Sequence, residues 1–119
     1  MKFLRSAAAA LLFVAGAAHA QQSGPPAWID ELDLTEAQQE QVFKIFHAVA
    51  PLIRERLQAA RRAHEQLEDL AVAVSLNSEQ GRTAFAAEAQ ALADVAEIRL
   101  HALQAVYQLL NEDQRARNE

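Results

Sequence analysis

Between Thr35 and Gln114 the chain is composed almost wholly of helix formers, and a short helix-start box stands at each end. The first box is Leu34-Thr35-Glu36-Ala37-Gln38, and the second, looser one is Leu110-Asn111-Glu112-Asp113-Gln114. Thr35 has the geometry of an N-cap with Gln38 three residues on. Its hydroxyl accepts from the N3 amide, while the Gln side chain reaches back to the cap. Glu36 suits the positive end of the helix that follows. Asn111 and Gln114 repeat the pattern before a last short helix. Leu76-Asn77-Ser78-Glu79-Gln80 fits the same form at an internal helix start. A chain bracketed in this way is confined to an all-α fold.

The helical stretch divides at two points. Val42, Ile45, Phe46 and Val49 recur at i, i+3, i+4, i+7, marking a first amphipathic helix. Pro51 lacks a donor and disfavours helical geometry at Ala50, so a break or sharp kink is expected there. A second helix runs from Pro51 to Val74, with Ile53, Leu57, Ala60, Leu67, Leu70 and Val74 on its apolar side and His64 within the stripe. Ser75 to Ser78 is a loop. A third helix runs from Ser78 to Leu110, with Phe85, Ala89, Leu92, Ala96, Leu103, Val106 and Leu110 on one face, widened by Ile98, Leu100 and Tyr107. Gly81 falls in its first turn, where a glycine costs little. The two later helices exceed 20 residues, roughly 35 to 50 Å each, and a short loop makes them antiparallel neighbours. The expected fold is a long antiparallel helical hairpin with short flanking N- and C-terminal helices. So thin a body leaves part of its apolar band wet, and a homodimer that covers the band is expected.

The N-terminus reads as a secretory signal over residues 1–20. Lys2 and Arg5 supply the positive region, Ala7 to Ala18 the apolar stretch, and Ala18-His19-Ala20 a small-x-small cleavage site. Residues 21–32 read as a flexible leader, polar and Pro/Gly-containing. Trp28 and Ile29 either pack back on the domain or lie on a partner. Residues 33–119 are the domain. The expected location is the periplasm. There is no cysteine, so disulfides, thiol chemistry and a lipid-modified cysteine are ruled out. Lys2 and Arg5 leave with the signal, so the formal net charge of −5 becomes −7. Nucleic acid needs a basic footprint that such a chain lacks.

The signal, the Leu-Thr-x-x-Gln box and the related box after the longest helix together resemble the Spy/CpxP-like (LTXXQ motif) family. Periplasmic heavy-metal-resistance proteins are relatives of the same shape. The run Tyr107-Gln108-Leu109-Leu110 into Asn111-Glu112-Asp113-Gln114-Arg115 is similar to that family's approach to its second box. The likeness covers roughly Leu32 to Arg117. It implies a hairpin that dimerises antiparallel into a curved cradle, with a stress-linked role in the envelope. Members hold unfolded proteins without ATP, modulate sensor kinases, or bind metals. Two features depart from the family: Asn111 stands where Thr is usual, and the acidic net charge differs from a basic client-attracting face.

Against that background Arg54, Arg61 and Arg62 are candidate client contacts, with Leu57 and Phe43 as apolar neighbours. Charge assists encounter and apolar contact assists retention. The alternative is an ordinary solvated face with i,i+4 partners such as Arg61 and Glu65. His64 with Glu68, and Glu97 with His101, are i,i+4 pairs, but a metal site needs three or four converging ligands. His64, Glu97 and His101 are therefore metal candidates only in part, and no cofactor is expected. No nucleophile set or phosphate loop points to an enzyme. Three functions remain: holding unfolded or misfolded periplasmic clients, docking on the periplasmic domain of a sensor kinase, or sensing metal.

Overall fold

In a computed structural model, which describes residues 24–118, the chain is an all-α hairpin. A short 3-10 helix, Ala27–Leu32, precedes α1 (Glu36–Val72), α2 (Glu79–Leu109) and α3 (Glu112–Asn118). The expected signal, residues 1–20, lies outside the described residues, as do residues 21–23 of the expected leader. The rest of that leader is less loose than its composition suggests. Ala27–Leu32 is helical, Ile29 and Leu32 are buried, and Trp28 packs against the core. Among the described residues no helix is long and apolar enough to cross a membrane.

Of the break or sharp kink expected at Pro51, the break is absent. α1 runs through it as one 37-residue helix, about 55 Å long. Pro51 is exposed, so the ring and the carbonyl it leaves without a donor face outward. Val49 and Ile53, on either side, lie on one line against α2. Packing of that line on both sides of the proline outweighs the local preference.

The contact line between the helices alternates steps of three and four. On α1 it is Val42, Phe46, Val49, Ile53, Arg56, Ala60, Ala63, Leu67 and Leu70. On α2 it is Gly81, Ala84, Glu88, Ala91, Val95, Ile98, Ala102, Ala105 and Leu109. Each of these residues is buried or half-buried. A 3.5-residue repeat of this kind is the seam of an antiparallel coiled coil. The expected face of α2 is therefore displaced. Phe85, Ala89, Leu92 and Ala96 are exposed, Leu103 is half-buried, and only Val106 and Leu110 of that set are buried. Alanines occupy the seam instead. Their small side chains favour close approach of the helices at those levels, while Phe46 and Leu67 fill the line elsewhere. On α1, Leu57 and Leu70 are likewise only half-buried and His64 is exposed, and Val74 lies exposed in the turn beyond the helix.

The turn between the helices is closed by backbone. Ser75 N–H donates to the Leu70 carbonyl at 2.7 Å and Val74 N–H to the Ala71 carbonyl at 3.1 Å, the paired bonds of a Schellman motif. Val74 occupies its left-handed position with φ 55° and lies 92% exposed. The cap of α2 is Ser78, one residue later than the box at Leu76–Gln80 implies. Its Oγ accepts from Gly81 N–H at 3.1 Å and donates to the Ser75 carbonyl at 2.6 Å. The N3 position is then Gly81, with no side chain to reach back, so the third box is only half a capping box. Gly81 is also not the inexpensive residue its position suggested. A Cβ there would lie 1.9 Å from the Leu76 carbonyl oxygen.

Two substitutions test the turn by denaturant unfolding. Val74→Gly relieves a β-branched residue of left-handed geometry without loss of packing and should stabilise by about 1 kcal/mol. Gly81→Ala must displace the Leu76 backbone and should destabilise by about 2 kcal/mol. Equal effects of the same sign would contradict this account of the turn.

Candidate client-binding surfaces

At the open end of the hairpin the two outer boxes meet. Thr35 Oγ1 accepts from Gln38 N–H at 3.1 Å, and Gln38 Oε1 accepts from Thr35 N–H at 3.0 Å. Asn111 Oδ1 accepts from Gln114 N–H at 2.8 Å, and Gln114 Oε1 accepts from Asn111 N–H at 3.0 Å. The two glutamines then pair with each other. Each Nε2 donates to the other's Oε1 at 2.9 Å. The second hydrogen of Gln38 Nε2 goes to the Leu109 carbonyl at 2.9 Å, and that of Gln114 approaches the Asp33 carbonyl at 3.5 Å. Both amides thus use their donors and acceptors in full, and Gln114 can be 5% exposed without a buried orphan. Glu would cap as well as Gln at either position but carries no donor when ionised. Glutamine in both boxes is the sequence signal for this pairing, and reading each box separately as a helix start misses it.

Further links hold the same end. Arg117 pairs with Asp33 at 2.8 Å. Arg115 donates to the Tyr107 carbonyl at 3.2 Å and lies over the Tyr107 ring. Leu110 is buried, and Leu34 packs on the cluster of Ile29, Val42, Phe46, Ala102 and Val106. All six box residues singled out in the sequence act here: Leu34, Thr35, Gln38, Leu110, Asn111 and Gln114.

The five client-contact candidates do not form one patch. Arg54, Leu57 and Arg61 line a single shallow groove on one side of α1. Arg62 is turned about 100° away around the helix. Phe43 lies on the Leu57 stripe but about 21 Å along the axis. It is 64% exposed, stacks on His47, and lines a cavity of about 410 Å³ beside Ile29 and Asp30. Two links across the seam set the register: Arg56 with Asp94 at 3.7 Å and His64 with Glu88 at 2.8 Å. That register places Leu57 and Arg61 at the level of Leu92 and Ala89, on the same side of the seam. Phe85 and Leu92, 51% and 47% exposed, therefore extend the Arg54–Arg61 side into a mixed basic and apolar face. Sequence periodicity places them on the apolar band of the third helix, part of which is expected to stay wet.

The metal candidates are also separated. His64 Nδ1 faces Glu88 at 2.8 Å, and its Nε2 faces Glu68 at 3.2 Å. The carboxylates sit on opposite ring nitrogens, so they hold the ring between them and do not converge on one ion. Glu97 and His101 lie on the other side of the hairpin, in a separate groove. Among the described residues no three His, Cys, Asp or Glu side chains are grouped to hold a metal.

No family model, curated protein or solved structure matches the chain.

The glutamine pair is open to direct test. Gln38→Glu and Gln114→Glu each keep the capping acceptor and lose the amide donor. Each should cost about 2 to 3 kcal/mol in chemical unfolding. The double alanine variant should cost less than the sum of the single alanine variants by about 1 kcal/mol or more. Strict additivity would mean that the two amides do not act as a pair.

Proposed function

We propose that this chain is a periplasmic, ATP-independent chaperone-like stress protein of the Spy/CpxP type, binding unfolded or misfolded clients as a homodimer. The observation that carries this reading is the exposed face built by Phe85, Leu92 and Leu57 with Arg54 and Arg61. Large apolar side chains set outward beside cations are costly to leave in water and suit partners that themselves expose apolar segments. Arginine assists encounter with acidic stretches of a client, and the leucines and phenylalanine retain it. A shallow, open surface of this kind favours many weak contacts over one specific ligand. The hairpin bracketed by two Gln-bearing boxes supports the same family reading, and the N-terminal signal pattern supports export. A second copy set against part of the Phe85–Leu92 stripe would leave the Arg54–Arg61 end open for clients.

The test is light scattering from an unfolding reporter protein in the presence of stoichiometric purified chain. Aggregation should be suppressed, more strongly at low than at moderate salt. Leu57→Asp and Leu92→Asp should weaken capture by about tenfold each, with the helical circular dichroism unchanged. Absence of suppression at both salt concentrations would refute the proposal.

A further inference from the structure

The hairpin has a second long groove, on the side of the seam away from Arg54 and Arg61. Its cavity is about 540 Å³, within the range of sites that take several side chains. Ile45, Val49 and Leu52 of α1 and Ile98, Ala102 and Ala105 of α2 form an apolar floor. The α1 wall runs from Ile45 to Arg56, about 17 Å or three helical turns.

Carboxylates outnumber cations along the rim. Arg56, the one Lys or Arg among the described residues that line the groove, is bound to Glu55 at 2.9 Å and Asp94 at 3.7 Å. Asp94 also accepts from Gln90. Glu97 and His101, one turn apart on α2, complete the rim. Glu97 is exposed and makes no hydrogen bond or ion pair with the described residues. Glu97 is therefore available to pair with a cation that an occupant of the groove presents. The chain's net charge of −5 adds a long-range field of the same sign.

We infer that this groove docks a cationic amphipathic helix of about three turns from another protein, its apolar stripe on the Ile45–Leu52–Ile98 floor and a Lys or Arg on Glu97. Helix-in-groove binding of this kind needs apolar anchors at i, i+3, i+4 and i+7, which the length of the floor accommodates. A second copy of the chain is a poorer occupant. Groove against groove across a two-fold axis would bring the Asp94 and Glu97 rims together with only the already paired Arg56 to offset them. The site is independent of the client face. It would let the protein engage a basic helical partner while that face is occupied.

The experiment is fluorescence anisotropy of a labelled 15-residue Leu/Lys amphipathic peptide titrated with the purified chain at low salt, with a Leu/Glu peptide of the same pattern as comparison. The Leu/Lys peptide should bind saturably and at least about tenfold more tightly than the Leu/Glu peptide. Glu97→Lys and Leu52→Ala should each weaken binding several-fold. Glu65→Lys makes the same change in net charge on the outer surface of α1 and should leave binding within about twofold. Leu57→Asp, on the opposite face, should also leave it unweakened. Equal loss from Glu65→Lys and Glu97→Lys would reduce the effect to net charge and overturn the inference. Equal affinity for the two peptides, or loss of binding in Leu57→Asp, would overturn it as well. Self-association that Leu52→Ala abolishes in sedimentation would assign the groove to a second copy and overturn it too.

Discussion

Alanine at the helix seam is the constraint on which the other features depend. Ala60, Ala63, Ala84, Ala91 and Ala102 are all buried along it. Close packing of small side chains brings two long helices together with little volume between them. Several of the larger apolar residues then lie beside the seam, and Ile98 lies at its edge. Phe85 and Leu92 emerge with Leu57 on one side, and Ile45, Leu52 and Ile98 border the groove on the other. Both exposed apolar surfaces thus follow from one packing choice.

Alanine levels of the seam bury less area than the levels held by Phe46, Ile53 and Leu67, and both ends of the hairpin carry closures of their own. The closed end is a backbone turn with a left-handed Val74 and a glycine against the Leu76 carbonyl. At the open end, the Gln38–Gln114 amide pair joins the start of α1 to the start of α3, across 76 residues of chain. Each glutamine caps its own helix and bonds the other's, so local helix starts and tertiary closure share the same atoms. The polar seam positions, Arg56 and Glu88, add cross-links that set register without filling the core.

Elements governed by neighbouring residues were legible in the sequence. The caps at Thr35 and Asn111, the helical character of the long segments and the loop at Ser75–Ser78 follow from side chains within four positions of one another. Pro51 does not break the helix because its local penalty, though real, is smaller than the packing of Val49 and Ile53 on either side. Ser78 displaced Asn77 as cap because its hydroxyl also reaches the Ser75 carbonyl, a loop contact that cap preference alone does not encode. The face of α2 was misplaced for a similar reason. Hydrophobicity ranks Phe85 and Leu92 above Ala84 and Ala91, whereas the seam selects by size. Of the candidate site, Arg54, Leu57 and Arg61 shared a face by helical spacing alone. Their distance from Phe43 needed only the continuity of α1, and their proximity to Leu92 needed the register between the helices.

The sequence by itself determined an all-α chain with two complete capping boxes, no thiol chemistry, and basic and apolar residues spaced along the same helix. These properties are local, since capping, periodicity and composition act within a turn or two. Tertiary structure alone decided which apolar line became the seam, that the proline lies inside one unbroken helix, and that Gln38 and Gln114 satisfy each other. It also decided that the hairpin has two differently charged sides. Those outcomes depend on how closely two helices can approach and in what register. That distance is set by side-chain volume summed along the whole interface rather than by any residue's own preference.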